Sequence, residues 1–147
     1  MSAASRGGLA SLAPSSRAHG AQRMLSMTTL LVEALVVFFA ALVAHQLIPE
    51  HRGATWTLAL ATAVALLATA GLLRRGAWPY LLGALLQIPV IAMGVLVPAM
   101  WVVGPILAAI YVYGVLAGHR WDAEKDEVDR RVLAERAAAE GTAPDGV

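Results

Sequence analysis

Four apolar runs, Thr28 to Ile48, Trp56 to Leu73, Trp78 to Val97 and Met100 to Gly118, dominate the sequence. Each is about as long as the roughly 20 residues that a helix needs to cross a hydrocarbon core of about 30 Å. Lipid offers no water to backbone N–H and C=O groups, so a spanning segment must satisfy them within a helix or a closed barrel. Runs of this length select the helix. The connections Pro49 to Thr55, Arg74 to Ala77 and the turn at Pro98 are too short to cross a bundle, which makes consecutive helices antiparallel neighbours. The expected fold is an all-α membrane protein, a four-helix transmembrane bundle running up-down-up-down with a helical tail.

Composition agrees: 59% of residues are hydrophobic and 14% charged, against about 25% charged in soluble domains. Mean hydropathy is +0.66. The absence of cysteine excludes disulfides, thiolate metal sites and a cysteine nucleophile. His19, His45, His51 and His119 stand near the ends of the runs without metal-ligand spacing. The chain has no phosphate loop, nucleophile-base pair or dinucleotide fingerprint. No enzyme activity, cofactor or metal is therefore expected. Nor is nucleic acid, because the charges are segregated along the chain and not gathered on one basic face.

Ten of the eleven basic side chains fall on alternate sides of the runs: Arg6, Arg17 and Arg23 before the first, Arg74 and Arg75 between the second and third, and Arg120, Lys125, Arg130, Arg131 and Arg136 after the fourth. Only Arg52 lies in the other loops. The positive-inside rule then predicts a plasma-membrane protein with both termini in the cytoplasm. Trp56 and Trp101 begin spans on one side, and Trp78, Tyr80 and Trp121 mark the other, as interfacial aromatics do. The first run exceeds the roughly 7 to 15 apolar residues of a signal peptide, so a retained helix is expected.

Residues 1–22, rich in Ser, Ala and Gly, read as a disordered leader or as sequence upstream of a start at Met24 or Met27. Residues 23–121 form the membrane domain and 122–147 a charged tail, helical to about residue 140. Asp126 with Arg130 and Glu127 with Arg131 are i,i+4 pairs that favour that helix, and Gly141 is a natural stop. Trp121, Val128 and Val132 form a thin apolar stripe on it; the expectation is a solvated extension, with a helix that binds a membrane or cytoplasmic protein partner as the alternative.

Ala59, Ala61, Ala63, Ala65, Ala68, Ala70 and Gly71, with Thr57, Thr62 and Thr69, make the second span the expected central helix. Gly114 and Gly118 form a GxxxG pair that serves either packing within the chain or a homo-oligomer seam. Pro89 and Pro105 interrupt the third and fourth spans and predict kinks. Three intramembrane polar residues are candidates for a site. Glu33, the one acid in a span, lies five residues inside Thr28 and so near the inner leaflet, where Arg74 or Arg75 could anchor it. Ala40 and Ala44 share its face, which directs it inward. Gln87 and Tyr111 could meet threonines of the second span at membrane depth.

Leu31-Val32-Glu33-Ala34, Gly71-Leu72-Leu73-Arg74-Arg75, Gln87, and Val97-Pro98-Ala99-Met100-Trp101-Val102-Val103-Gly104 resemble an uncharacterised actinobacterial membrane family, a domain of unknown function, over about Arg23 to Trp121. The resemblance implies four helices in the plasma membrane, often with the gene beside that for folylpolyglutamate synthase, and supplies no activity or site. The reading of the residues is a structural or partner-binding membrane subunit. The alternative is a small proton- or ion-coupled transporter using Glu33, since four helices with one acid in the first also resemble the small multidrug exporters. Those work as dual-topology dimers with little charge bias, whereas this chain carries a strong one.

Overall fold

The computed structural model describes residues 20–141; most of the expected leader and the last residues of the tail lie outside this range. The elements are α1 (Ala21–Leu47), α2 (Arg52–Leu72), α3 (Trp78–Ala92) and α4 (Met100–Gly141), with 3-10 turns at Pro49–His51, Leu73–Arg75 and Met93–Val95. There is no strand among the described residues. All four helical segments are long and apolar enough to cross a membrane.

The ends of the elements follow from local chemistry. The Ile48 N–H still reaches Ala44 O at 2.9 Å, but Pro49 has no N–H with which to continue α1. Between α2 and α3 the chain turns at Gly76, whose φ of 145° is open to glycine and strained for other residues. Pro79 follows in the first turn of α3, where the missing N–H costs nothing. Pro89 lies inside α3 and removes the helical donor to Leu85 O. One turn later the helix tightens into the 3-10 turn, and Leu96 and Val97 both donate to Met93 O at 2.9 Å.

α1 has the most extensive contacts with the rest of the bundle, against α2 on one side and α4 on the other. Leu30, Ala34, Val37, Ala40, Ala41 and Ala44 are its buried apolar residues. This corrects the expectation that α2 is central. Ala61, Ala68 and Gly71 are exposed, and Ala59 and Ala70 are the alanines of α2 that the bundle buries. Small side chains permit close packing, but their abundance does not specify which face receives it.

Glycines set the closest approaches. Gly118 faces the backbone of Gln22 and Gly114 faces Leu25, so α4 runs antiparallel to α1 at their joined ends, within one chain. Gly94 lies under the Trp101 ring, where a Cβ would come within 2.7 Å, and Gly104 lies on Ile91, where it would come within 3.0 Å. These pairs run α3 antiparallel to α4. Outside the core, Leu35, Phe39, Leu60, Val64, Leu85, Ile88, Val102 and Ile106 are exposed. An apolar girdle of this extent is unfavourable in water and matches lipid.

Gly118 provides the sharpest test of this packing, because a side chain there meets backbone and not a movable side chain. Gly118→Leu should lower stability in detergent by about 1 to 3 kcal/mol, the range for overpacking. Gly53→Ala, at a position with open space, should be neutral or slightly stabilising. Equal unfolding midpoints for the two variants would contradict the α1–α4 contact.

Candidate functional site

Buried polar residues on α1 occupy one face. Gln22, Ser26 and Glu33 follow one another at spacings of four and seven, which return to nearly the same angle. Glu33 lies twelve residues after Ala21 and fourteen before Leu47. It is therefore at the middle of α1 and fully buried, further from the helix end than the sequence reading set it. The difference comes from counting from Thr28, seven residues after the helix begins.

Its partner comes from α3. Gln87 lies midway between Trp78 and Val95, and its Nε2 donates to Glu33 Oε2 at 2.8 Å. A second, longer contact joins the same amide nitrogen to Gly83 O at 3.4 Å. Glu33 Oε1 and Gln87 Oε1 are buried without a further protein hydrogen bond. A carboxyl and a primary amide facing each other in this way can exchange hydrogen bonds in two directions, because the amide both donates and accepts.

Arg74 and Arg75 do not provide the expected anchor for Glu33. Both are exposed on the 3-10 turn after α2, at the end of the bundle where α1 begins. Glu33 stands about 18 Å along α1 from that end, at about 1.5 Å per residue. Tyr111 and Gln87 are not joined either. The Tyr111 hydroxyl donates to Tyr80 O at 3.0 Å, and its ring end fills the space that Gly83 leaves on α3. Thr69 Oγ1 donates to Ala65 O in its own helix at 2.7 Å. Thr62 is also buried.

Sequence reasoning missed Asp122. Its carboxylate oxygens accept the backbone N–H of Ala21 at 2.7 Å and of Gln22 at 3.1 Å. The first turn of a helix has N–H groups without intrahelical partners, and the positive end of its dipole favours an anion. Gly20 supplies no side-chain cap, so an aspartate a hundred residues away does so. The signal was an acid immediately after Trp121, four residues past Gly118, where the glycine lets α4 reach the backbone of α1. Arg23 and the Tyr80 hydroxyl interact beside it.

The two halves of the bundle differ. Toward the end at which α1 begins, Gln22, Ser26, Thr69 and Asp122 are buried polar residues. Toward the other end the interior is Val37, Ala40, Ala41, Ala44, Val90, Met93, Val97 and Met100, and Thr55 is the buried polar residue there. At that end Trp56 Nε1 donates to His45 Nδ1 at 3.1 Å. Among the described residues no three His, Asp or Glu side chains gather as a metal site. The arrangement can hold, orient and exchange hydrogen bonds or a proton at Glu33.

The model of a family described as a protein of unknown function, DUF4233, matches residues 23–127. The match includes Glu33, Gln87, Tyr111 and Asp122. No curated protein and no solved structure matches the chain.

A double-mutant cycle measures the central contact. Gln87→Leu should cost about 1 to 3 kcal/mol, because it leaves a buried carboxyl without its donor. Adding Glu33→Leu should recover part of that loss, with a coupling energy of about 0.6 to 1.7 kcal/mol in detergent unfolding, the range for interhelical hydrogen bonds. Strictly additive single effects would mean that the pair does not interact in the folded protein.

Proposed function

The chain belongs to the DUF4233 family, and we propose that it is a small integral membrane subunit that engages another protein through the helix it extends beyond its bundle. One observation carries the reading. α4 runs from Met100 to Gly141, about 63 Å at about 1.5 Å per residue, roughly twice what a bilayer core requires. Asp122 is its last buried residue, and from Ala123 to Ala139 no side chain is buried.

That extension exposes Val128, Val132 and Leu133, with Trp121 at its base. Glu127 and Arg131 form an ion pair along it, as do Arg120 and Glu124. Exposed pairs of this kind contribute little, about 0.3 to 0.5 kcal/mol. A long helix with apolar residues between mixed charges is a surface suited to a helical partner. The excess of arginine at this end of the bundle supports a cytoplasmic position for it under the positive-inside rule.

The test is a truncation after Lys125, which keeps Asp122 and hence the cap on α1. Cross-linking in native membranes followed by purification should recover a partner with the full chain and lose it with the truncated one, at unchanged bundle stability. An identical set of cross-linked proteins for both forms would remove the extension from any binding role.

A second reading is favoured by the central position of Glu33. An intramembrane carboxyl is costly and marks ion or proton coupling in many membrane proteins. Gln22 and Ser26, buried on the same face of α1, add polar groups between Glu33 and one end of the helix. In pyranine-loaded proteoliposomes under an imposed potassium-diffusion potential, the wild type should carry protons and Glu33→Gln should abolish the flux. Equal proton flux for the two proteins would exclude the acid from coupling.

A further inference from the structure

Where α1 meets α2 through the Pro49–His51 turn, a side-chain hydrogen bond joins the two helices. The indole Nε1 of Trp56, in the second turn of α2, donates to Nδ1 of His45, in the last turn of α1, at 3.1 Å. An imidazole nitrogen that accepts a hydrogen bond carries no hydrogen of its own, so this bond requires the neutral ring with its hydrogen on Nε2. The two rings are steeply inclined, with centroids 6.2 Å apart. Phe38, two turns back along α1, supports the indole at a centroid distance of 6.0 Å. His45 and Trp56 are both partly buried.

The charges around this pair are few. Glu50 and His51 stand in the turn, and Arg52 opens α2 with its Nε donating to His45 O at 3.2 Å. The α3 and α4 side adds none, because no Asp, Glu, Lys, Arg or His occurs between Trp78 and Gly118. Glu33, the one acid of α1, lies twelve residues from His45, about 18 Å along the helix. A second proton on His45 would occupy Nδ1 and set one N–H against another. The indole does not offset that loss, since it presents its rim to His45, the positive part of the ring quadrupole. The Arg52 guanidinium is already a cation held on the same residue.

We propose that His45 and Trp56 form an acid-sensitive latch between α1 and α2, closed while His45 is neutral and released when its Nδ1 takes a proton. The bond exists with the neutral ring, so its contribution to stability is present at neutral and alkaline pH. It disappears on acidification through the range of about pH 8 to 5, in which histidine charges. Once released, α1 and α2 are held at that end by apolar contacts, which are non-directional, and by the Arg52 bond. Under the orientation proposed above, this end faces away from the cytoplasm, so the latch responds to external pH. It is independent of the extension of α4 and of Glu33.

Nitrogen NMR of the full chain in detergent micelles, isotope-labelled at tryptophan and histidine, reads the latch directly. The Trp56 indole resonance, identified by its loss in Trp56→Phe, should shift between about pH 8 and about pH 5 in step with protonation of His45 Nδ1. His51→Gln and Glu50→Gln should retain that shift, and His45→Gln, which offers an acceptor that does not titrate, should abolish it. A cycle of His45→Leu, Trp56→Phe and the double variant in detergent unfolding reads the energetic consequence. Coupling of about two- to tenfold in the unfolding constant is expected at the alkaline end, the size of one net hydrogen bond, and its loss at the acid end. A wild-type indole resonance that stays fixed while His45 titrates overturns the proposal. So does an unchanged shift in His45→Gln, which would assign the effect to another group. Coupling of equal size at both ends of the range would also overturn it, leaving the pair as a fixed structural contact.

Discussion

Two buried carboxyl groups, Glu33 of α1 and Asp122 of α4, organise the bundle. Glu33 ties the middle of α1 to α3 through Gln87, and Asp122 ties its first turn to α4. Lipid supplies no hydrophobic force to hold one apolar helix against another, so close packing and a few polar contacts must do so. The interior alanines of α1 provide the first and these carboxyls the second. Remove either and α1, which has the most extensive contacts in the structure, loses a fixed register against a neighbour.

Much of the fold was legible because hydropathy and helix length are strong signals. The expected spans beginning at Trp78 and Met100 start where α3 and α4 do. The start of α1 was not legible. Ala21, Gln22 and Arg23 are too polar to extend an apolar run, and what makes them helical is an acceptor on α4, a hundred residues away. Those missing turns set Glu33 nearer the end of its helix in the reading and hid its pairing with Gln87, which was read near the middle of the third span. The position of α2 was misjudged for a different reason. A count of alanines has no direction, and Ala61 and Ala68 lie outside the core while Ala34, Ala40 and Ala44 of α1 lie inside it. The Gly114 and Gly118 pair left two uses open, and its contacts with Leu25 and Gln22 lie within the chain.

The prolines bear on how the two halves of the bundle differ. Pro89 releases Leu85 O from the α3 ladder, and the helix tightens into a 3-10 turn at Met93–Val95 before reversing. Gly94 and Gly104 allow the Trp101 ring and Ile91 to close over this region. Packing between α3 and α4 there is apolar and tight, and the side-chain hydrogen bond described in that half, Trp56 to His45, joins α2 to α1. Apolar contacts are non-directional, so relative sliding of α3 and α4 is opposed less specifically at this end than beside Tyr80 and Tyr111.

α4 links the interior to its own extension. Tyr111, Gly118 and Asp122 lie on the helix that continues to Gly141, and no break separates the buried part from the exposed part. A partner that displaced the extension along its axis would act first on Asp122, because its two hydrogen bonds to α1 lie at the point where the helix leaves the bundle. The Tyr111 hydroxyl, eleven residues further in, would follow. The Glu33–Gln87 bond joins α1 to α3 and crosses no residue of α4. The extension and Glu33 are therefore linked only indirectly, through Asp122 and the first turn of α1 or through Tyr111, which packs on Gly83 where Gln87 also bonds.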